Sequence, residues 1–221
     1  MRPLRLLVPL LLVTLVVHPA VYPAAAQEAP GTRAFNIDAA TSQLTIRLYR
    51  QGVLSVLAHD HVLNADGIAG RVLYNEQDVK RSSLQLSVPV ASLVVDDPER
   101  RKREGVSGTL SEKNIAEIRG IIMSEDYLDE PKYPRVVATA VAVNGELPML
   151  SLGLSVRIKQ TEKVYTVPVK VDLEGGTLHA TGEVYLKQSD FGMKPYIALL
   201  GAIAVQDPVL VKFDIVAREQ R

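Results

Sequence analysis

The residues best suited to chemistry in this sequence are His59 and His61, which flank Asp60 in the run Ala58-His59-Asp60-His61. On a strand, side chains two apart share a face, so both imidazoles can address one ion at about 2 Å. The third ligand of such a site would be His179, or an acid such as Asp66 or Asp190. Asp60 itself points away from the pair on a regular strand. The plainer alternative is two histidines at a strand end, bonded to backbone or water near a rim, because His-x-His is a frequent chance pattern. His179 falls on the polar face of its own strand, which favours an exposed or hydrogen-bonded ring over a ligand.

The other charged feature is Arg100-Arg101-Lys102-Arg103, a dense basic cluster. Such a cluster suits a pyrophosphate headgroup or transient contact with an anionic membrane surface. Asp96, Asp97, Glu99 and Glu104 flank it and cancel most of its field, which favours a solvated loop. The sequence contains no Gly-x-Ser-x-Gly elbow, no phosphate-cradling glycine loop and no dinucleotide fingerprint. It contains no cysteine, which excludes disulfides, thiolate zinc sites, a cysteine nucleophile and a lipid-modified cysteine. No residue is therefore assigned a catalytic role, and an enzyme is the minority reading.

The elements that must position these residues begin after the N-terminal segment. Arg2 and Arg5, the apolar run Leu6 to Val17 and the small residues Ala24-Ala25-Ala26 follow the order of a secretory signal peptide. Residues 1–26 are read as that peptide, with cleavage before Gln27, and 27–221 as one domain. The apolar run carries Pro9 and is shorter than the roughly 18 residues a membrane span needs. Removing residues 1–26 takes away two arginines and no acid, leaving 23 bases against 25 acids and a charge of about −2. Nothing in that balance calls for nucleic acid. The signal type points to a bacterial periplasm, where a protein without disulfides is held by its core alone.

From residue 34 onward the dominant pattern has a period of two. Leu44, Ile46 and Leu48 alternate with Gln43, Thr45 and Arg47; Leu84, Leu86 and Val88 alternate with serine and glutamine. The same alternation runs through Leu150 to Ile158, Leu178 to Leu186 and Val209 to Ile215. These are strands with one apolar face each. Further strands are expected at Ala34 to Ile37, Leu57 to Leu63, Gly67 to Tyr74, Arg135 to Val143 and Val164 to Val171. Turns are expected at Asn64 to Gly67, Asn144-Gly145 and Glu174 to Gly176. The result is an all-β fold, a barrel or a sandwich, with the long strand from Met149 favouring closure. One short helical insert breaks it: Ser111 can cap a helix carrying Ile115, Ile118 and Ile122 at three- and four-residue spacing.

Several segments together resemble the YceI-like family of periplasmic lipid-binding proteins. They are Phe35-Asn36-Ile37-Asp38, Ser42-x-Leu44-x-Ile46, Gly52-Val53-Leu54-Ser55 and Gly67-Ile68-Ala69-Gly70. Tyr127-Leu128-Asp129-Glu130-Pro131-Lys132-Tyr133-Pro134 is similar to one family signature, and Leu186 to Pro195, with Asp190-Phe191-Gly192 at its centre, to another. The resemblance implies an extended lipocalin-like antiparallel β-barrel of about eight strands, a size that can hold one small ligand. It also implies a bound isoprenoid or acyl lipid in the lumen, no required cofactor and no catalytic residue. Two departures stand out: Ala58 to His61 replaces a glycine and an apolar residue found in many members, and the insert from Arg100 to Ile122 is long.

Hydrophobicity and this resemblance together place Ile46, Leu48, Leu152, Leu154, Val156, Leu178, Ala180, Val184, Phe191, Val211 and Phe213 on the lumen wall. The apolar stretch from Tyr196 to Val205 needs cover, so Tyr196, Leu199 and Leu200 are expected to form a lid across the barrel mouth. The partner is then a small amphiphilic lipid, with metal binding through His59, His61 and His179 as the alternative. A homodimer would be one way to bury a barrel seam.

Overall fold

The structure, a computed structural model, describes residues 30–220; the expected signal peptide and its cleavage point lie outside the described residues. The chain forms β1 (Thr32–Ile37), β2 (Gln43–Leu48), β3 (Arg50–Gln51), β4 (His61–Ala65), β5 (Ala69–Asn75), β6 (Ser83–Pro89) and β7 (Leu93–Val95). Two helices follow, α1 (Pro98–Arg103) and α2 (Glu112–Met123). The second half consists of β8 (Arg135–Glu146), β9 (Met149–Ile158), β10 (Thr161–Glu174), β11 (Thr177–Lys187), β12 (Ile197–Ala198), β13 (Ile203–Val205) and β14 (Pro208–Glu219).

Eight of these strands close into an antiparallel barrel in the order β1-β5-β6-β8-β9-β10-β11-β14, with β14 returning to β1. The closure is branched. Phe35 to Ile37 of β1 pair with Ala217 to Glu219 of β14, whereas Gln43 to Arg47 of β2 pair with Leu210 to Asp214 of the same strand. β1 and β2 therefore occupy successive stretches of one edge of β14. β4 and β7 extend the sheet outward from β2. A separate small sheet, β12-β13-β3, sits beside this branch.

Local chemistry explains the tight connections. The β10–β11 hairpin turns through Gly175 and Gly176, both at positive φ, as the commonest two-residue hairpin turn requires. Ser111 caps α2 by accepting from the amide of Asn114 at 3.2 Å. Ile118 and Ile122 then pack with Leu63, Val88, Val90 and Leu93, and Arg119 donates to the carbonyls of Leu93 and Ala91. The helix is thus fastened to the free end of the β2–β4–β7 branch.

Three expectations are corrected. Asn144-Gly145 is no turn: both residues sit in the β8–β9 ladder opposite Ser151 and Leu150, and the chain reverses at Leu147-Pro148. A bulge between Ala140 and Ala142 shifts that register. Leu57 to Leu63 is no continuous strand, because Ser55–Leu57 form a single 3₁₀ turn and pairing starts only at His61. The basic run is no solvated loop. Pro98 at the first turn and Asp97 as cap fold it into α1, with Arg101 buried.

Candidate functional site

The barrel is hollow. Its interior holds a cavity of about 680 Å³, within the range of small-molecule sites, walled almost wholly by the inward faces of the barrel strands, β2, β4 and α2. The buried side chains divide into three packed groups around it. Ile46, Leu48, Leu152, Leu154, Val156, Leu178, Ala180, Val184, Val211 and Phe213 lie on the cavity wall. Gly182 leaves room for Phe213, since a β-carbon there would stand 2.5 Å from its ring and 2.6 Å from the Pro168 carbonyl oxygen.

Phe191 is placed elsewhere. It is buried with Val156, Leu186 and Met193 and leans on Tyr165, whose ring centre is 6.3 Å away. The Tyr165 hydroxyl donates to Asp190 Oδ2 at 2.9 Å. Burial and the Asp190 carboxylate together push the Tyr165 hydroxyl up to about 12. Asp190 and Phe191 thus clamp the end of β11 onto β10. Replacing Tyr165 by phenylalanine keeps the ring contact and removes only the bond to a charged acceptor. Urea unfolding should show a loss of about 1.5–3 kcal/mol.

The expected lid is also redrawn. Tyr196 reaches the cavity wall, but Leu199 and Leu200 are exposed and do not. Tyr196 precedes β12, and the leucines lie on the loop between β12 and β13, which turns them outward.

His59 and His61 both border the cavity, but not as neighbours on one strand face, because His59 precedes the first pairing of β4. Asp60 turns back to accept the amide of Arg50 at 3.0 Å. His179 is not brought to them. It lies on the outer face of β11 and is bonded through Nε2 to Asp214 at 2.7 Å. Among the described residues no group of three or more histidines and acids is arranged to hold a metal ion.

His61 instead belongs to a buried ionic network that the sequence reading did not assemble. Its Nδ1 is 2.7 Å from Asp96 Oδ2, while Asp96 Oδ1 accepts the amide of Val62 at 2.9 Å and Arg101 Nη1 at 2.6 Å. Asp96 is 0 % exposed and Arg101 3 % exposed. Arg101 also donates to the carbonyls of Asp60 and Ser107. Burial pushes the Asp96 carboxyl up, but His61, the Val62 amide and Arg101 outweigh it and hold it below the ordinary carboxylate range. Arg100 pairs with Asp66, so two cations of the basic run are committed to acids of this chain.

An eight-stranded ring, a branched edge on its last strand and an apolar lumen frame the comparison with known proteins. The family model for the YceI-like domain matches residues 35–217. This chain belongs to the YceI-like family. Its YceI-like fold is similar to that of BcnA from Burkholderia cenocepacia, with a TM-score of 0.62 at 18% identity, covering 81% of this chain and 98% of that one. A polyisoprenoid binding domain from Saccharophagus degradans, implicated in plant cell wall breakdown, aligns with a TM-score of 0.57 at 12% identity over 85% of this chain and 99% of the other. The YceI protein of Campylobacter jejuni aligns with a TM-score of 0.54 at 11% identity, over 72% and 85% of the two chains. No curated protein sequence matches this chain. Of the YceI-like signature around Tyr127, the side chains of Tyr127 and Leu128 border the cavity.

Proposed function

We propose that this protein is a non-catalytic periplasmic carrier that holds one long-chain amphiphilic lipid, of polyisoprenoid or fatty-acyl type, in its barrel lumen. The observation that carries the reading is the cavity, about 680 Å³ inside a closed barrel, walled mainly by leucine, isoleucine, valine and alanine. A lumen of this kind excludes water from a tail at a gain of about 0.8 kcal/mol per buried methylene, without any group that must react. Membership of the YceI-like family supports the reading, as does the fold shared with a polyisoprenoid binding domain. The signal-like N-terminal segment supports export.

Native mass spectrometry of the exported protein from its own host, with organic extraction of the same sample, tests the proposal. A co-purifying lipid of fixed mass, released by extraction, is the expected result. Protein that stays empty, and does not take up geranylgeraniol when it is supplied, would overturn it.

A further inference from the structure

Resting on that lipid-binding reading, we propose that His61 is a headgroup site that accepts a hydrogen bond from the hydroxyl of a long-chain alcohol or phenol. The argument starts from Asp96. An ionised carboxylate can only accept, and Oδ1 is already filled by the Val62 amide and Arg101, so Oδ2 takes the proton of His61 Nδ1. In the neutral ring that leaves a bare lone pair on Nε2. Asp96 and Arg101 balance each other's charge. Among the described residues the His61 ring has no side-chain partner besides Asp96, and His61 borders a cavity whose lining is mainly apolar, with Arg50, His59, Asn114 and Glu117 among its polar residues. An acceptor facing an apolar cavity discriminates between ligands: a tail ending in O–H satisfies it, whereas an ether or hydrocarbon leaves it bare. The fixed tautomer therefore makes the site selective for a donor headgroup.

Geranylgeraniol and its methyl ether share a tail and differ in the O–H, so they form the probe pair. Each would compete against a fluorescent apolar dye at a pH where the NMR signals of the His61 ring show it to be neutral. The expected result is a preference of about 5–10-fold for the alcohol in the wild type, lost in His61→Phe. An Asp96→Asn variant serves as a second probe. Its amide NH₂ would face Nδ1 and reverse the tautomer, so Nε2 would donate and the ether would bind as well as the alcohol. Equal binding of the two probes by the wild type, or a preference that survives in His61→Phe, would overturn the headgroup site and leave the carrier reading standing. Failure of both probes to displace the dye would instead remove the carrier reading, and this site with it.

A separate observation carries a second inference. Val53, Leu54, Val56 and Leu57 on one loop, and Tyr196, Ile197, Leu199 and Leu200 on another, are all exposed. The two loops are joined: the Leu54 amide donates to the Ala202 carbonyl at 2.9 Å, and β3 pairs with β13. Arg50, Ala58, Tyr196, Ile203 and Val205, which flank them, border the cavity. Leu199 and Leu200 hold φ of 48° and 55°, a left-handed conformation that disfavours leucine, and both side chains face outward. Strain held in exposed leucines, beside residues that line an apolar lumen, calls for an apolar occupant. We infer that this rim docks on a lipid bilayer, so that a lipid tail passes between membrane and lumen along continuous apolar surface.

Co-flotation with phosphatidylethanolamine–phosphatidylglycerol vesicles tests the rim. The expected result is that Leu199→Ser with Leu200→Ser lowers partitioning by about 100-fold, while dye binding in the lumen is retained. Wild-type protein that ignores vesicles, or a double variant that floats as well as wild type, would overturn the inference. So would a wild-type dimer that the double variant converts to monomer, which would assign the patch to a second copy of the chain.

Discussion

Asp96→Ala is expected to lose about 3–5 kcal/mol of folding stability, the cost of stranding one partner of a buried ion pair. The substitution leaves Arg101, 3 % exposed, without its carboxylate, and frees the Val62 amide and His61 Nδ1 at the same time. Urea unfolding at neutral pH measures the loss directly. The same residue sets an acid limit. Its carboxyl is held below the ordinary range in the folded protein, so its contribution is complete above the unfolded value of about 3.9 and disappears as the pH falls through the lower folded value. The wild type should therefore destabilise on acidification below about pH 4, and Asp96→Ala should lack that component of the slope. A variant that loses less than about 1 kcal/mol would mean that water reaches Arg101.

Ala180→Trp is expected to weaken lipid uptake by about 100-fold with little loss of stability. Ala180 sits on the inner face of β11 against side chains of two of the packed groups, and it borders the cavity. In a solid core, so large an insertion forces neighbours apart and costs about 1–3 kcal/mol or more. In a hollow barrel the indole enters empty space and displaces three or four methylenes of the tail, at about 0.8 kcal/mol each. Stability and binding must be measured together, by thermal unfolding and displacement of the apolar dye. Strong destabilisation would indicate a collapsed interior.

The strands and the helix were legible because their signals are local. Leu44, Ile46 and Leu48, or Leu178 to Leu186, mark an inner face by alternation alone, and Ser111 marks its helix by a cap. What failed depends on partners distant in the chain. Asn144-Gly145 has turn chemistry, yet the β9 ladder claims both residues and moves the reversal to Leu147-Pro148. Leu57 to Leu63 has strand-like composition, yet Ala202 holds the Leu54 amide, Ser55–Leu57 form a 3₁₀ turn and pairing starts only at His61. The charges around Arg101 cancel on paper. Only the fold buries Asp96 and Arg101 together and adds His61 from a strand some 35 residues away. Leu199 and Leu200 were recognised as needing cover, but hydrophobicity carries no direction, and the backbone turns both outward. Phe191 looked like lumen for the same reason.

The shared edge of β14 gives the two ends of the molecule different mechanics. At one end β1 completes the ring through Phe35 to Ile37; at the other, β2 pairs with that same strand along Gln43 to Arg47 and carries β4 and β7 as a side branch fastened by α2. Parting β2 from Leu210 to Asp214 would open that stretch of β14 while β1 keeps the ring closed at the other, a route by which the proposed cargo could leave a vessel that stays folded. Amide hydrogens of Thr45 and Arg47 should then exchange faster than those of Phe35 and Ile37, and the difference should shrink once the vessel is filled.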